Sequence, residues 1–349
     1  MRKDPLFIED SDPNRPFRVL IVKLSSLGDV IHTLPVVADL HKYRDDIVVD
    51  WVVEPAFSDL VQRCQGVRKI VHCNLRKWVR SPFSKETKSE WKAFVADLRS
   101  ERYDAVFDLQ GLSKSALVMG MAKVTIPGQR IAMANKTEGS SYERLTRLAA
   151  DVAIRLEPHV HAMTRGRLLC AKSQNYEVPH ALDYGLQRPS AATPVAPQVM
   201  LLQGSSRSDK AWPEAHWVEL VQRLAAQGLG SVLVHGSDAE QATCQRIAQA
   251  AGPHASVQIL PRMTLGALHQ TMLTCTGVIG VDSGLSHLAV ALDLPHVQIY
   301  NFDTAWRTGP VNTQRQVAVF SRPTPPVEAV WKAWQSVLST VKPAAPAVA

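Results

Sequence analysis

Apolar residues in this chain fall into short runs that alternate with amphipathic stretches. Phe17 to Val22 is long enough for a buried strand and too short for a helix of its own. Val30, Leu34, Val37 and Leu40 then recur at helical spacing. Ile47 to Val53 reads as a second strand, Ala56 to Cys64 as a short helix and Arg68 to His72 as a third strand. Asn74 to Lys85 breaks the rhythm. It is basic, aromatic and interrupted by Pro82, and it predicts a long loop of the functional kind. Glu86 to Arg102 resumes as a helix with Trp91, Phe94, Val95 and Leu98 on one stripe. Tyr103 to Leu112 is a strand ending in a polar turn, Ser113 to Ala122 a helix and Arg130 to Ala134 a strand. Tyr142 to Ala153 and Val160 to Lys172 predict helices.

Gln187 to Pro197 is rich in Pro, Ala and Ser and reads as an extended linker. The alternation then restarts. Strands are predicted at Val199 to Leu202, Ser231 to His235, Val278 to Val281 and His296 to Tyr300. Helices are predicted at Trp212 to Ala226, Asp238 to Ala251, Leu265 to Thr274, Leu285 to Leu292 and Pro326 to Val341. The tail from Pro343 predicts disorder. Strands alternating with helices mean βαβ units and parallel sheets. The expected architecture is α/β, with two doubly wound Rossmann-like domains, 1–187 and 188–325, facing a central cleft. A closing helix, 326–342, is expected to pack back on the first domain.

Polar loops after the strands are where chemistry is expected. Lys23-Leu24-Ser25-Ser26-Leu27-Gly28-Asp29 follows the first strand. Gly28 allows a sharp turn or close approach to a ligand. Asp29 stands at a helix start, where a carboxylate serves as a helix cap or as a catalytic base. Gly204 to Lys210 opens the second half; its small hydroxyls, backbone N–H groups and lysine suit a phosphate, or an ordinary βα loop with Ser caps. Asp282-Ser283-Gly284 precedes another helix, and the Ser283 and Gly284 amides suit a second phosphate. Asp282 would repel phosphate directly and would instead bind a sugar hydroxyl or orient an amide. His287 alone is a weak signal. Glu240 is placed for ribose hydroxyls or for its own helix dipole. Walker A, G-x-G-x-x-G, G-x-S-x-G and H-E-x-x-H patterns do not occur, and no metal site is indicated.

Charge sharpens this picture. The net charge is +7, and Arg63 to Lys92 holds nine basic residues against Glu86 and Glu90. Such an excess suggests an anionic partner, or a merely solvated basic surface. One aromatic among the basics, Trp78, is too little for nucleic-acid stacking. Five scattered cysteines fit a reducing compartment. The first sixteen residues lack the apolar core of a signal peptide, and no run is long enough to span a membrane.

Five ordered motifs together resemble the bacterial lipopolysaccharide heptosyltransferases of glycosyltransferase family 9, in their type I form. They are Lys23 to Pro35, Asn74 to Trp78, Asp108-Leu109-Gln110-Gly111, Lys210-Ala211-Trp212-Pro213 and Asp282 to Leu288. The stretch Tyr300 to Pro310 departs from the family pattern. The resemblance implies a GT-B fold and an inverting, metal-independent glycosyltransferase without cofactor. The implied donor is ADP-L-glycero-β-D-manno-heptose. The implied acceptor is Kdo2-lipid A, reached by a cytoplasmic, peripheral protein at the inner face of the bacterial inner membrane. It makes Asp29 the base. It places Ser205, Ser206, Lys210, Glu240, Met263, Asp282, Ser283, Gly284 and His287 at the donor. Ser26, Gly28, Arg76, Lys77, Arg80 and Gln110 would then serve the acceptor, with Lys85 and Lys88 near the membrane. A monomer is expected. The rival readings are another GT-B enzyme with a different anionic acceptor, and a non-catalytic nucleotide-sugar-binding module.

Overall fold

The structure, a computed structural model, describes residues 7–9, 15–186, 197–311 and 314–340. The predicted linker up to residue 196 and the predicted tail lie outside the described residues. The chain divides into two compact units after Gln187.

The first unit runs β1 (Phe7–Glu9), β2 (Phe17–Val22), α1 (Leu27–Thr33), α2 (Pro35–Tyr43), β3 (Ile47–Val53), α3 (Pro55–Gln62) and β4 (Val67–His72). It continues with α4 (Leu75–Arg80), α5 (Lys85–Leu98), β5 (Tyr103–Asp108), α6 (Ser113–Met121) and β6 (Val124–Met133), then a 3-10 turn (Arg144–Ala149), β7 (Val152–Ile154) and α7 (Ala162–Gln174). Its sheet order is β4-β3-β2-β5-β6, with β1 and β7 both on the outer edge of β6, and every pair is parallel. Strands covered on both faces must be apolar throughout. Accordingly Val19, Ile21, Trp51 and Phe107 pack under α1, α2 and α7, while Leu20, Val22, Val52 and Val106 pack under α4, α5 and α6.

The second unit runs β8 (Gln198–Leu202), α8 (Glu214–Ala226), β9 (Gly230–Leu233), α9 (Asp238–Ala251), β10 (Val257–Ile259) and α10 (Leu265–Leu273). It continues with β11 (Gly277–Val281), α11 (Gly284–Ala291), β12 (His296–Tyr300), α12 (Ala305–Thr308), β13 (Gln316–Phe320) and α13 (Val327–Leu338). Sheet order is β10-β9-β8-β11-β12-β13, again all parallel. Numbered within the unit this is 3-2-1-4-5-6, the doubly wound order. The direction of winding reverses between β8 and β11 here, and between β2 and β5 in the first unit.

Three local expectations change. The helix after Asp29 is two helices, because Pro35 has no N–H to continue α1 and instead starts α2. The predicted loop 74–85 contains α4: Trp78 is buried against Trp91 and Phe94, and its indole donates to Glu90 at 2.8 Å, which fixes one helical turn after another. The predicted helix 142–153 is a 3-10 turn followed by β7, whose residues Val152 to Ile154 complete the edge of β6. The apolar stripe of the closing helix, α13, belongs to the second unit. Val330, Trp334 and Val337 are buried in the second unit's own core beside Val297 and Ile299. Strand β10, only three residues long, and β13, partly exposed at the sheet edge, were not predicted from the sequence.

Candidate functional site

In the first unit the strand-reversal point is closed by the loop after β2 and the loop after β5. Lys23 is buried and its Nζ donates to the Leu109 carbonyl at 2.9 Å. The Gln110 side-chain oxygen accepts from the N–H groups of Leu24 and Ser25, both at 3.1 Å. Gly111 makes the return turn at φ +77°, where a side chain would be strained. Asp108, fully buried, caps that turn by accepting from the Gln110 and Gly111 N–H groups. Burial pushes its carboxyl above the ordinary range.

Asp29 stands on this platform as the third residue of α1. Its carboxylate accepts from the Ser26 N–H at 3.2 Å and the Ser26 hydroxyl at 2.9 Å, and lies 3.8 Å from the Lys23 ammonium. It is therefore not the cap itself; Ser26 holds the cap position and Asp29 reaches back to it. Burial alone would raise its pKa. The Lys23 charge and the two Ser26 hydrogen bonds outweigh that and hold Asp29 below the usual carboxylate range. The side chain keeps 42% exposure, so an ionised carboxylate faces outward from a cationic floor. Gly28 takes an ordinary helical conformation in α1, so it does not make a sharp turn.

Around Asp29 the positive charge accumulates. Arg76 donates to the Ser25 hydroxyl at 3.2 Å and pairs with buried Glu54 at 3.1 Å. Lys114, in the first turn of α6, approaches the same hydroxyl at 3.5 Å and Glu54 at 3.9 Å. Lys77 does not join them: its ammonium is held by Glu86 at 2.6 Å and Glu90 at 2.7 Å. Arg80 is exposed at the end of α4, away from these contacts. Ser26, Gly28, Asp29, Arg76 and Gln110 are thus gathered at one place, with Gln110 serving chiefly to hold the loop.

The second unit repeats the arrangement with different chemistry. The loop after β8 carries Gly204, Ser205 and Ser206 to Lys210, and the loop after β11 carries Asp282. Lys210 and nearly buried Asp282 meet at 2.6 Å across the reversal point. His287, on α11, lies 3.6 Å from the other Asp282 oxygen. Asp282 therefore orients a lysine rather than an amide. Ser283 caps α11 by accepting from the Ser286 N–H, and Gly284 is its first residue, so the positive helix end opens beside Lys210. Glu240 accepts from the Gly236 N–H at 2.6 Å. It also lies against Gly204, where a Cβ would come within 2.7 Å of its Oε1, so any side chain there would displace the carboxylate. Met263, partly exposed, precedes α10, and a depression beside it is lined by His235, Gln241, Ile259 and Arg262.

Sequence reasoning missed four supports. Glu54 and Lys23 each follow an apolar run in the sequence, and both are buried charges. Lys114 carried a signal: a lysine in a first turn opposes the helix dipole unless an anion meets it. Asn301 carried none. Its amide donates to the Asp209 and Ala211 carbonyls at 3.0 and 2.9 Å, bracing the Lys210 loop from a segment ninety residues away. Among the described residues no three His, Cys, Asp or Glu side chains converge as a metal's ligands would.

Comparison with known proteins places these features in a family context. Residues 91–330 match the model of glycosyltransferase family 9 (heptosyltransferase). Lipopolysaccharide heptosyltransferase 1 of Escherichia coli K12 is 36% identical over 291 residues, covering 81% of this chain and 87% of that protein. The E. coli heptosyltransferase WaaC solved with ADP superposes with a TM-score of 0.82 at 32% identity, over 92% of this chain and 100% of the other. The same enzyme with ADP-2-deoxy-2-fluoro heptose gives 0.77 at 32% identity, over 90% and 98%.

Proposed function

The chain belongs to glycosyltransferase family 9, the heptosyltransferases, and on that premise we propose that it transfers L-glycero-D-manno-heptose from ADP-heptose to the inner Kdo of Kdo2-lipid A. The observation that carries this reading is the division of labour between the two strand-reversal points. One bears an ionised carboxylate among cations. The other bears a lysine, serine hydroxyls and a helix N-terminus, the chemistry of a diphosphate site.

Breaking the anomeric C–O bond builds positive charge on the sugar and negative charge on the departing ADP. Lys210 and the amides at the start of α11 meet that negative charge, so the step proceeds without a metal ion. Lys210 leaves Asp282 for the diphosphate as the donor enters, and Asp282 keeps His287. Glu240 takes the ribose hydroxyls, and Met263 borders the base. A Kdo hydroxyl attacks the anomeric carbon from the face opposite ADP, inverting it, and its proton passes to Asp29. The low pKa of Asp29 makes it a weak base. That suffices where the transition state is oxocarbenium-like and the proton leaves late. Arg76 and Lys114 hold the anionic groups of the acceptor, with Arg80 at the margin of that site. No helix among the described residues is long and apolar enough to cross a membrane. In this reading the enzyme meets its lipid acceptor as a peripheral protein at the cytoplasmic face of the inner membrane.

The test is direct. Incubation with ADP-heptose and Kdo2-lipid A should yield acceptor heavier by one heptose, and ADP. Transfer from a different nucleotide sugar, or to a different acceptor only, would replace this reading with another glycosyltransferase. Donor binding without any turnover would make the chain a binding module.

A further inference from the structure

One layer of the first unit has an outer surface that the proposed chemistry does not use. Helices α4, α5 and α6 and the 3-10 turn Arg144–Ala149 cover the same face of the sheet, their inner residues Trp78, Phe94, Val118 and Ala149 meeting in one core. A 3-10 helix repeats every three residues, so its side chains form three rows. Here Thr146 and Ala149 make the inward row, and Thr146 is fully buried. Arg144 and Arg147 make a second row, both exposed. Leu145 and Leu148 make the third, 64% and 85% exposed, with no apolar cover. At the other tip of the layer Val79 and Phe83 are 74% and 85% exposed, beside Arg80, Lys85 and Lys88.

The acids of this layer are exposed or half-buried but already paired within it, which offsets their charge. Glu143 accepts from the Ser113 N–H at 2.7 Å and from the Ser113 hydroxyl. Glu86 and Glu90 share Lys77, and Asp151 accepts from the Arg130 N–H. At the two tips the outward groups outside these pairs are arginine and lysine beside leucine, valine and phenylalanine. Single exposed apolar residues need no explanation. Eclipsed rows of two arginines and two leucines, repeated in kind at the α4–α5 turn, do. A protein partner would meet such a surface with carboxylates and a shaped apolar pocket. A bilayer needs only anionic headgroups over acyl chains, and it accepts two separate tips on one layer.

We propose that this layer is a docking face for an anionic phospholipid surface, with Leu145 and Leu148 entering the headgroup–acyl boundary and Arg144 and Arg147 binding headgroup phosphates. The inference deepens the proposed reading, whose acceptor is a lipid. It places the membrane contact on two elements outside the transfer chemistry.

The experiment is co-sedimentation of the full-length protein with vesicles rich in phosphatidylglycerol and with vesicles of phosphatidylcholine alone. Wild type should bind the anionic vesicles preferentially and lose that preference at high salt. Leu145→Ser with Leu148→Ser should lower partitioning about tenfold, and Arg144→Glu with Arg147→Glu should abolish the preference for anionic lipid. Phe83→Ser should weaken binding in the same direction. Lys42→Glu, exposed on α2 on the opposite layer, should have no effect. No binding by wild type, unchanged binding by both pairs, or an equal loss with Lys42→Glu would overturn the proposal, the last two in favour of a non-specific contact. Turnover of a deacylated, water-soluble acceptor separates the two readings. It should survive in the Leu145/Leu148 variant. Its absence in wild type counts against the transferase assignment alone, since the vesicle result stands without it.

Discussion

Replacing Asp29 with asparagine separates its two candidate duties. The amide keeps an oxygen for the Ser26 N–H and hydroxyl, now at 3.2 and 2.9 Å, and loses only charge and basicity. Losing a helix cap outright costs about 1 kcal/mol, and asparagine retains most of it. The attraction to Lys23 acts across 3.8 Å, where a unit pair is worth roughly 1 to 4 kcal/mol between bulk-water and near-surface screening. Asp29 is 42% exposed, so solvent screening puts the pair at the lower end of that range. Stability should therefore fall by about 1 kcal/mol. Removing a general base costs roughly 10²- to 10⁴-fold in rate, or about 3 to 5 kcal/mol of activation free energy. Urea unfolding reads the first quantity and the initial rate of ADP release at saturating substrates reads the second. Donor KM should not change. If Asp29→Asn kept more than about a tenth of wild-type kcat, its loss would be under about 1.4 kcal/mol, no larger than a cap, and the base assignment would be refuted. Because Asp29 is held below the usual carboxylate range, its stabilising charge is present at every pH above the unfolded carboxylate value of about 3.9. That contribution is lost only as pH falls through the lower folded value. Any acid limb of activity near neutrality belongs to another group.

The second unit offers two further tests. Lys210→Met leaves Asp282 nearly buried beside His287 alone and should cost about 3 kcal/mol of stability; adding Asp282→Asn should restore the urea midpoint while donor KM stays raised. His296 is wholly buried, and its pKa is pushed down to about 4 by that burial. The unfolded chain therefore binds a proton that the folded one refuses. Stability from this group falls as pH drops from its unfolded value near 6.5, by about 2 kcal/mol at roughly pH 5. His296→Asn, whose amide can still reach the Val278 carbonyl, should flatten that slope in urea titrations. In the first unit, Arg76→Ala should raise acceptor KM roughly tenfold or more, as loss of a charged hydrogen bond would. Lys77→Ala should leave it unchanged, because Glu86 and Glu90 already hold that charge.

The sheets were legible because parallel strands buried on both faces write themselves as unbroken apolar runs; Phe17 to Val22 and Ile47 to Val53 needed no tertiary information. The edges were not. β10 is only three residues long, and β13 carries its apolar run Val317 to Phe320 half-covered at the sheet edge. α4 was hidden for another reason: its helix is fixed by burial of Trp78 against α5, a contact that local pattern cannot express. The loops at the two reversal points stood out through Gly, Ser and charged residues after a strand. The partners of those residues did not. Whether a lysine in a basic run meets substrate or a glutamate depends on where Glu86 and Glu90 point. Lys77 and Arg76 are adjacent in sequence, yet Lys77 is held by Glu86 and Glu90 while Arg76 turns to Glu54 and the Ser25 hydroxyl.

The bracing of the Lys210 loop also has a genetic consequence. Asn301 holds that loop, its own side chain is held by Thr324 at 2.7 Å, and the Trp212 indole that follows the loop donates to the Pro325 carbonyl at 2.8 Å. Beyond lies α13, with Val330 and Trp334 fully buried. A premature stop codon around position 320 would spare every residue proposed to meet the donor and still remove the supports of the Lys210 loop. For this gene, nonsense alleles late in the reading frame should be as null as early ones until the stop falls beyond codon 338.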